Sequence, residues 1–369
     1  MNDDVVVIGG GVIGCSIAWH LTKKGFRVTV LEQDRIGAHA SSAAAGMLGA
    51  QVEMAYPGPM VDLCLASRAM FPAMREQLLA ETGLDIELNR AGLLRLADTE
   101  EEASLLQERA RWQQQLGERA EWLEKRELKD LEPSLSEELS GGLFLPGDSQ
   151  VSALRLVRAL AQAARLGGAQ LVEGAKVNSI RVEGGRVVSL DTAAGIYRPD
   201  QVVAAAGSLN GLLVRMAGGA LPVFPVKGES FALQPRKPLF TRTLFGPNCY
   251  LVPKADGQVI VGATEKRDMD PGVTLGAVHS LVRAAVKLVP ELEEGEWLRA
   301  WSGFRPATPD GLPYLGAMSS PGNLYVAGGH FRNGILLSAV TGKSMADLIA
   351  GESVPMLEPF APDRPVSSA

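Results

Sequence analysis

The stretch Val5-Val6-Val7-Ile8-Gly9-Gly10-Gly11-Val12-Ile13-Gly14 decides the fold of the first part of the chain. Four β-branched residues in a row, without polar alternation, predict a strand buried on both faces of a parallel sheet. The glycines end it. From Ile13 to Lys24 the apolar residues Ile13, Ile17 and Leu21 recur at helical spacing, Lys23 and Lys24 suit the negative end of a helix, and Gly25 suits its C-cap. A second strand follows over Arg27 to Leu31. A right-handed crossover then makes the two strands parallel neighbours.

At the first junction Gly9, Gly11 and Gly14 spell Gly-x-Gly-x-x-Gly. A tight turn there brings backbone N–H groups, with Val12 and Ile13 opening the helix, against a pyrophosphate. Glu32, at the end of the second strand, is placed to accept hydrogen bonds from an adenosine ribose, and its charge repels a 2′-phosphate. FAD and NAD share this fingerprint, and three later segments favour FAD. Ser41-Ser42-Ala43-Ala44-Ala45-Gly46-Met47 is a run of small residues that lets backbone approach a flat ligand, with hydroxyls for phosphate. Val202 to Gly207 reads as a buried strand ending in glycine. Gly328-Gly329-His330-Phe331-Arg332-Asn333-Gly334 precedes the last helix, whose first N–H groups suit negative charge on the pyrimidine edge of a reduced flavin. Taken singly, each segment is also compatible with plain packing.

Working outward, helices are expected over Leu63 to Thr82, Glu100 to Leu116, Ala153 to Leu166 and Gly334 to Ala350, and strands over Ala169 to Val172, Ser179 to Val188 and Leu324 to Ala327. Gly184-Gly185 suits a hairpin turn. Between Pro222 and Trp301, short alternating stretches such as Glu229 to Leu233, Tyr250 to Pro253 and Gln258 to Val261 predict an antiparallel sheet. The fold class is therefore α/β, α+β overall: a Rossmann-like FAD-binding domain over 1–85, 146–221 and 303–369, and an antiparallel-sheet substrate-binding domain over 86–145 and 222–302. A length of 369 residues suits two such lobes.

A formal charge of −6 offers no basic field for nucleic acid, and no apolar run reaches the length of a membrane span. Asp3 and Asp4 stand where a signal peptide needs positive charge, and the lone cysteines Cys15, Cys64 and Cys249 fit a reducing cytoplasm better than a disulfide framework. The four histidines lack metal-ligand spacing, so no metal is expected, and no serine or cysteine sits in a nucleophile motif.

Together these segments resemble the glycine oxidase branch of the D-amino-acid oxidase and sarcosine oxidase superfamily. The likeness runs over nearly the whole chain. It is carried by Ser42 to Leu48, Pro225-Val226-Lys227-Gly228-Glu229, Gly303-Phe304-Arg305-Pro306 with Asp310-Gly311, and Gly329-His330-Phe331-Arg332-Asn333-Gly334-Ile335-Leu336-Leu337. It implies noncovalent FAD, a small amino-acid substrate whose hydride passes to the flavin, dioxygen as acceptor, hydrogen peroxide as product, a homotetramer, and a part in thiamine thiazole synthesis. It places the substrate carboxylate on Arg305 with the Tyr250 hydroxyl, and Arg332 near flavin and substrate. A guanidinium offers two parallel donors to a carboxylate. Met47 and Gly49 match positions on the substrate side of the flavin. Flavin contacts are implied at Gly9, Gly11, Val12, Ile13 and Gly14, at Glu32, Ser41, Ser42, Ala45, Gly46 and Met47, at Val177, Ala206 and Gly207, and at His330, Arg332, Asn333, Gly334, Ile335 and Leu336. Two departures stand in the expected cavity: Asn248 where a relative has histidine, and Glu265 where it has methionine. A sarcosine or D-amino-acid oxidase or dehydrogenase of the same superfamily, and a flavin-binding protein without catalysis, remain open alternatives.

Overall fold

The computed structural model describes residues 4–365. The opening strand, Asp4–Ile8, lies inside a six-stranded sheet. Its order is Tyr314–Ala317, Leu324–Gly328, Gln201–Ala204, Asp4–Ile8, Arg27–Leu31 and Gln170–Val172. All neighbours are parallel except the pair Tyr314–Ala317 and Leu324–Gly328. Val5 to Ile8 are buried, as an uninterrupted apolar run in a central parallel strand requires.

On one face of this sheet the helix Val12–Lys23 packs against Ala153–Leu166 and Gly334–Ile349, and Pro59–Thr82 packs on the last of these. Trp19, Ile17, Phe71, Leu156 and Leu337 lie in that core. On the other face sits a three-stranded antiparallel sheet, Val177–Glu183, Arg186–Thr192 and Gly195–Tyr197. Its first hairpin turns through Gly184 and Gly185, with φ of 56° and 73°. Two successive positive φ angles are what a two-residue type I′ turn demands, so the glycine pair meets a backbone need.

A second, eight-stranded sheet runs Glu296–Ala307, Phe224–Gln234, Val259–Gly262, Tyr250–Pro253, Thr243–Phe245, Leu93–Ala97, Gly141–Leu145 and Glu121–Glu124. It is antiparallel except where Thr243–Phe245 meets Leu93–Ala97. The expected division at 302/303 lies inside the strand Glu296–Ala307, which is continuous with this sheet. The helix Leu275–Leu288, unexpected from the sequence, covers the sheet through Leu281, Ala285 and Leu288. Among the described residues no helix is long and apolar enough to cross a membrane, and all three cysteines are free and buried.

Candidate active site

At the glycine turn each close approach has a mechanical cause. Gly9 has φ 113°, and a Cβ there would lie 2.5 Å from the Ala205 carbonyl oxygen; a Cβ on Gly14 would lie 1.9 Å from that of Gly9. The start of Val12–Lys23 is thereby pressed against the ends of two strands. A helix leaves its first N–H groups without intrahelical acceptors. Ser41 Oγ accepts from Val12 N at 3.0 Å, and no acidic side chain occupies this first turn. The cradle therefore keeps donors and a positive dipole end for a pyrophosphate.

Glu32 is buried, and its carboxylate accepts from Gly10 N at 2.7 Å and from Asp34 N at 2.9 Å. It thus ties the glycine turn to the end of the second strand. Asn210, which sequence reasoning missed, is fully buried and bridges two neighbouring strand ends: its side chain accepts from Ala206 N at 2.6 Å and donates to Ala327 O at 3.3 Å. Gly207 beside it has φ 58° and open space where a Cβ would stand. Gly46, with φ 89°, packs so closely on Val151 that a Cβ would meet its carbonyl at 2.0 Å. These residues fit an extended dinucleotide. The side chain of His330 turns inward instead: it is buried, its Nε2 lies 3.1 Å from Thr341 Oγ1, and burial pushes its pKa down to about 3. Asn333 caps the last helix without a side-chain hydrogen bond, which leaves the backbone amides from Gly334 onward as the donors of this loop. Val177 is buried on the other face of the sheet, in the core beneath the small antiparallel sheet.

A cavity of about 290 Å³ opens where the eight-stranded sheet meets the loops that carry Glu53 and Arg332. It is lined by Tyr250, Asn248 and Arg332, all named from the sequence, and by Glu53, Arg95 and Arg109, which were not. Tyr250 projects from the strand Tyr250–Pro253 across Gly262, where a Cβ would lie 2.5 Å from the hydroxyl oxygen. Arg305 sits on Glu296–Ala307, an edge strand of the same sheet separated from the Tyr250 strand by Phe224–Gln234 and Val259–Gly262, its guanidinium laid over Gly228 and donating from Nη1 to Thr264 O at 3.1 Å. Burial lowers its pKa, and Tyr250 and Glu265 counter this. Arg332 differs. Burial works against its charge, but Glu53 and Glu265 outweigh it and raise its pKa; Glu53 lies 3.2 Å from Nε and Glu265 3.3 Å from Nη1.

Met47 and Gly49 are not in the cavity wall; they lead into the loop that supplies it. Met47 pairs with Gln150, and the loop from Gly49 to Glu53 is held by Asp148, which accepts from Gln51 N and Val52 N at 3.1 and 3.0 Å and pairs with Arg68 at 3.1 Å. Asp148 is fully buried, and burial lifts its pKa to about 6. Glu265 lies outside the main cavity, half exposed, on the rim of a second hollow with Lys266 and Phe331.

A dinucleotide cradle at the six-stranded sheet, together with an arginine-and-tyrosine cavity at the eight-stranded sheet, defines a flavoprotein oxidoreductase. The chain belongs to the FAD dependent oxidoreductase family, whose model matches residues 4–348, and FAD is its cofactor. It is 45% identical over 365 residues to the glycine oxidase of Geobacillus kaustophilus, covering 98% of this chain and 97% of that one. The crystal structure of glycine oxidase from the same organism superimposes with a TM-score of 0.96 at 43% identity, over 99% of this chain and all of that one. The bifunctional protein ThiO/ThiG of Synechocystis is 40% identical over 98% of this chain, which spans 54% of that protein.

Proposed function

We propose that this protein is an oxidase of glycine and other small amines such as sarcosine and small D-amino acids, using dioxygen as acceptor and releasing hydrogen peroxide. The similarity to glycine oxidases and to ThiO/ThiG supports a role in delivering the imine of glycine to thiamine thiazole synthesis. FAD, when bound, supplies the hydride acceptor. The chain's own residues would hold it through the Gly9 to Gly14 turn, Glu32, the Ser41 to Met47 segment, Ala206 and Gly207, and the backbone from His330 to Leu336. We assign substrate binding to the segments 86–145 and 222–302, and take the protein as a cytoplasmic homotetramer.

The observation that carries the reading is the state of Arg305. Its half-buried guanidinium lies near Tyr250 and spends one donor on a backbone carbonyl, so a paired set of N–H groups remains for a carboxylate. Arg332 already faces two carboxylates. With the substrate carboxylate on Arg305 and Tyr250, and the amine directed toward the Gly49 side, one hydrogen of Cα is aimed at the flavin. Fixing three substituents converts binding into orientation. Only one direction then remains for a side chain, which favours glycine and D-residues over L-residues. Peroxide formation with glycine, sarcosine, D-alanine, D-phenylalanine and L-alanine at equal concentrations tests this. L-alanine matching glycine would overturn the orientation.

A further inference from the structure

The cavity carries more positive charge than one amino-acid carboxylate uses. Arg95, Arg109 and Arg332 line it, against the single lining carboxylate Glu53. Glu53 is committed to Arg332. Arg95 has no side-chain hydrogen bond or ion pair among the described residues; its guanidinium lies over the Phe245 ring, 4.4 Å from the centroid. Arg109 donates from Nη1 to Val52 O at 3.0 Å, and its other nitrogens have no partner among the described residues.

Two adjacent guanidinium groups that are partly desolvated repel one another. Burial, followed by Arg109, pulls the pKa of Arg95 down to about 10, and burial lowers that of Arg109 as well. Both stand on regular structure. Arg95 is the middle residue of Leu93–Ala97, a strand paired on both sides, and Arg109 is on the helix Glu100–Gln115, anchored by Ala103, Leu106 and Ala110. The charges are therefore preorganised, and the group that best relieves them is an anion bridging their free donors.

We infer that Arg95 and Arg109 form a second anion subsite, which admits secondary amines bearing an acidic group on the nitrogen substituent in addition to the carboxylate held by Arg305. This rests on the assignment of Arg305 as the first anchor. The distal acid only binds; the carbon oxidised is the one beside the nitrogen, as for glycine. A cavity of about 290 Å³ is near the lower bound of small-ligand sites and exceeds what glycine fills.

The test uses the FAD-loaded protein and its Arg95→Gln and Arg109→Gln variants. Glutarate has the backbone of iminodiacetate with carbon in place of nitrogen, so it cannot be oxidised, and butyrate is its monocarboxylate counterpart. Calorimetry is expected to give a Kd for glutarate at least about tenfold below that for butyrate, and each substitution is expected to remove most of that ratio. In turnover, kcat/KM for iminodiacetate relative to glycine falls in both variants, through KM. Arg95→Lys, which keeps the charge, retains most of the preference and serves if the glutamine variant fails to fold. Equal affinity for the two acids in the wild type, or an unchanged ratio in folded variants, overturns the subsite. Absence of glycine turnover in the wild type overturns the glycine reading instead, so the two failures are distinct.

Discussion

Replacing Arg305 by glutamine tests the carboxylate anchor most directly. Glutamine keeps part of the volume over Gly228 and can still donate to Thr264 O, so the strand Glu296–Ala307 has no reason to move. The substrate loses a desolvated, doubly hydrogen-bonded charge partner. Truncating one partner of such a pair costs about 2–5 kcal/mol, or roughly thirtyfold to several thousandfold in kcat/KM. Tyr250→Phe removes one hydrogen bond to a charged acceptor and is expected to cost less, about 1.5–3 kcal/mol. Arg332→Gln also lowers activity, for another reason: it leaves Glu53 and Glu265 without their counter-charge beside an anionic substrate. Adding Glu53→Gln to Arg332→Gln should therefore restore part of the loss, while adding it to Arg305→Gln should not. Initial rates of peroxide formation over a range of glycine concentrations, with the flavin spectrum recorded for each variant, form the double-mutant cycle. Arg305→Gln within about threefold of wild type, less than about 1 kcal/mol, would refute the anchor.

Glu32→Ala frees the Gly10 and Asp34 amides and removes the ribose acceptor, so FAD affinity should fall by about tenfold or more, read by fluorescence of released flavin. Gly14→Ala drives a Cβ into the Gly9 carbonyl and should yield protein without bound FAD, seen as loss of visible absorbance. Asp148, raised to about 6 by burial, favours its protonated form in the folded state, so its contribution is present below the unfolded value of 3.8 and is lost as pH rises through about 6. Asp148→Asn, neutral throughout, should remove about 3 kcal/mol of that pH dependence, measured by urea unfolding at pH 4 and pH 8. His20 and His330 act in the opposite sense: burial lowers them to about 4 and about 3, so the stability they give above pH 6.5 drains as pH falls, and His20→Gln should flatten the acid limb of the curve.

Features written in consecutive residues were legible. The strand Asp4–Ile8, the helix after it, the hairpin at Gly184-Gly185 and the strand Tyr250–Pro253 each carry a local period or a turn residue, and local period is what sequence displays. The helix Leu275–Leu288 shows the limit. Its N-cap Thr274 and the spacing of Leu281, Ala285 and Leu288 are readable, but they lie in a stretch where the short alternating segments on either side set the expectation of strands. The cavity was legible only where a motif or a family resemblance pointed to it. Glu53, Arg95 and Arg109 come from a loop, a strand and a helix that meet only through the tertiary fold. An arginine alternating with leucines in a strand reads the same whether it faces solvent or a substrate. The mates of Arg332 were invisible for the same reason: that Glu53 and Glu265 already face it cannot be inferred from spacing, and only the family resemblance told Arg305 and Arg332 apart in the sequence. On the assignment proposed above, counter-charge in the fold, more than arginine as a residue type, singles out Arg305 as the partner for a carboxylate, and Arg95 and Arg109 are then positive charge beyond what glycine would use.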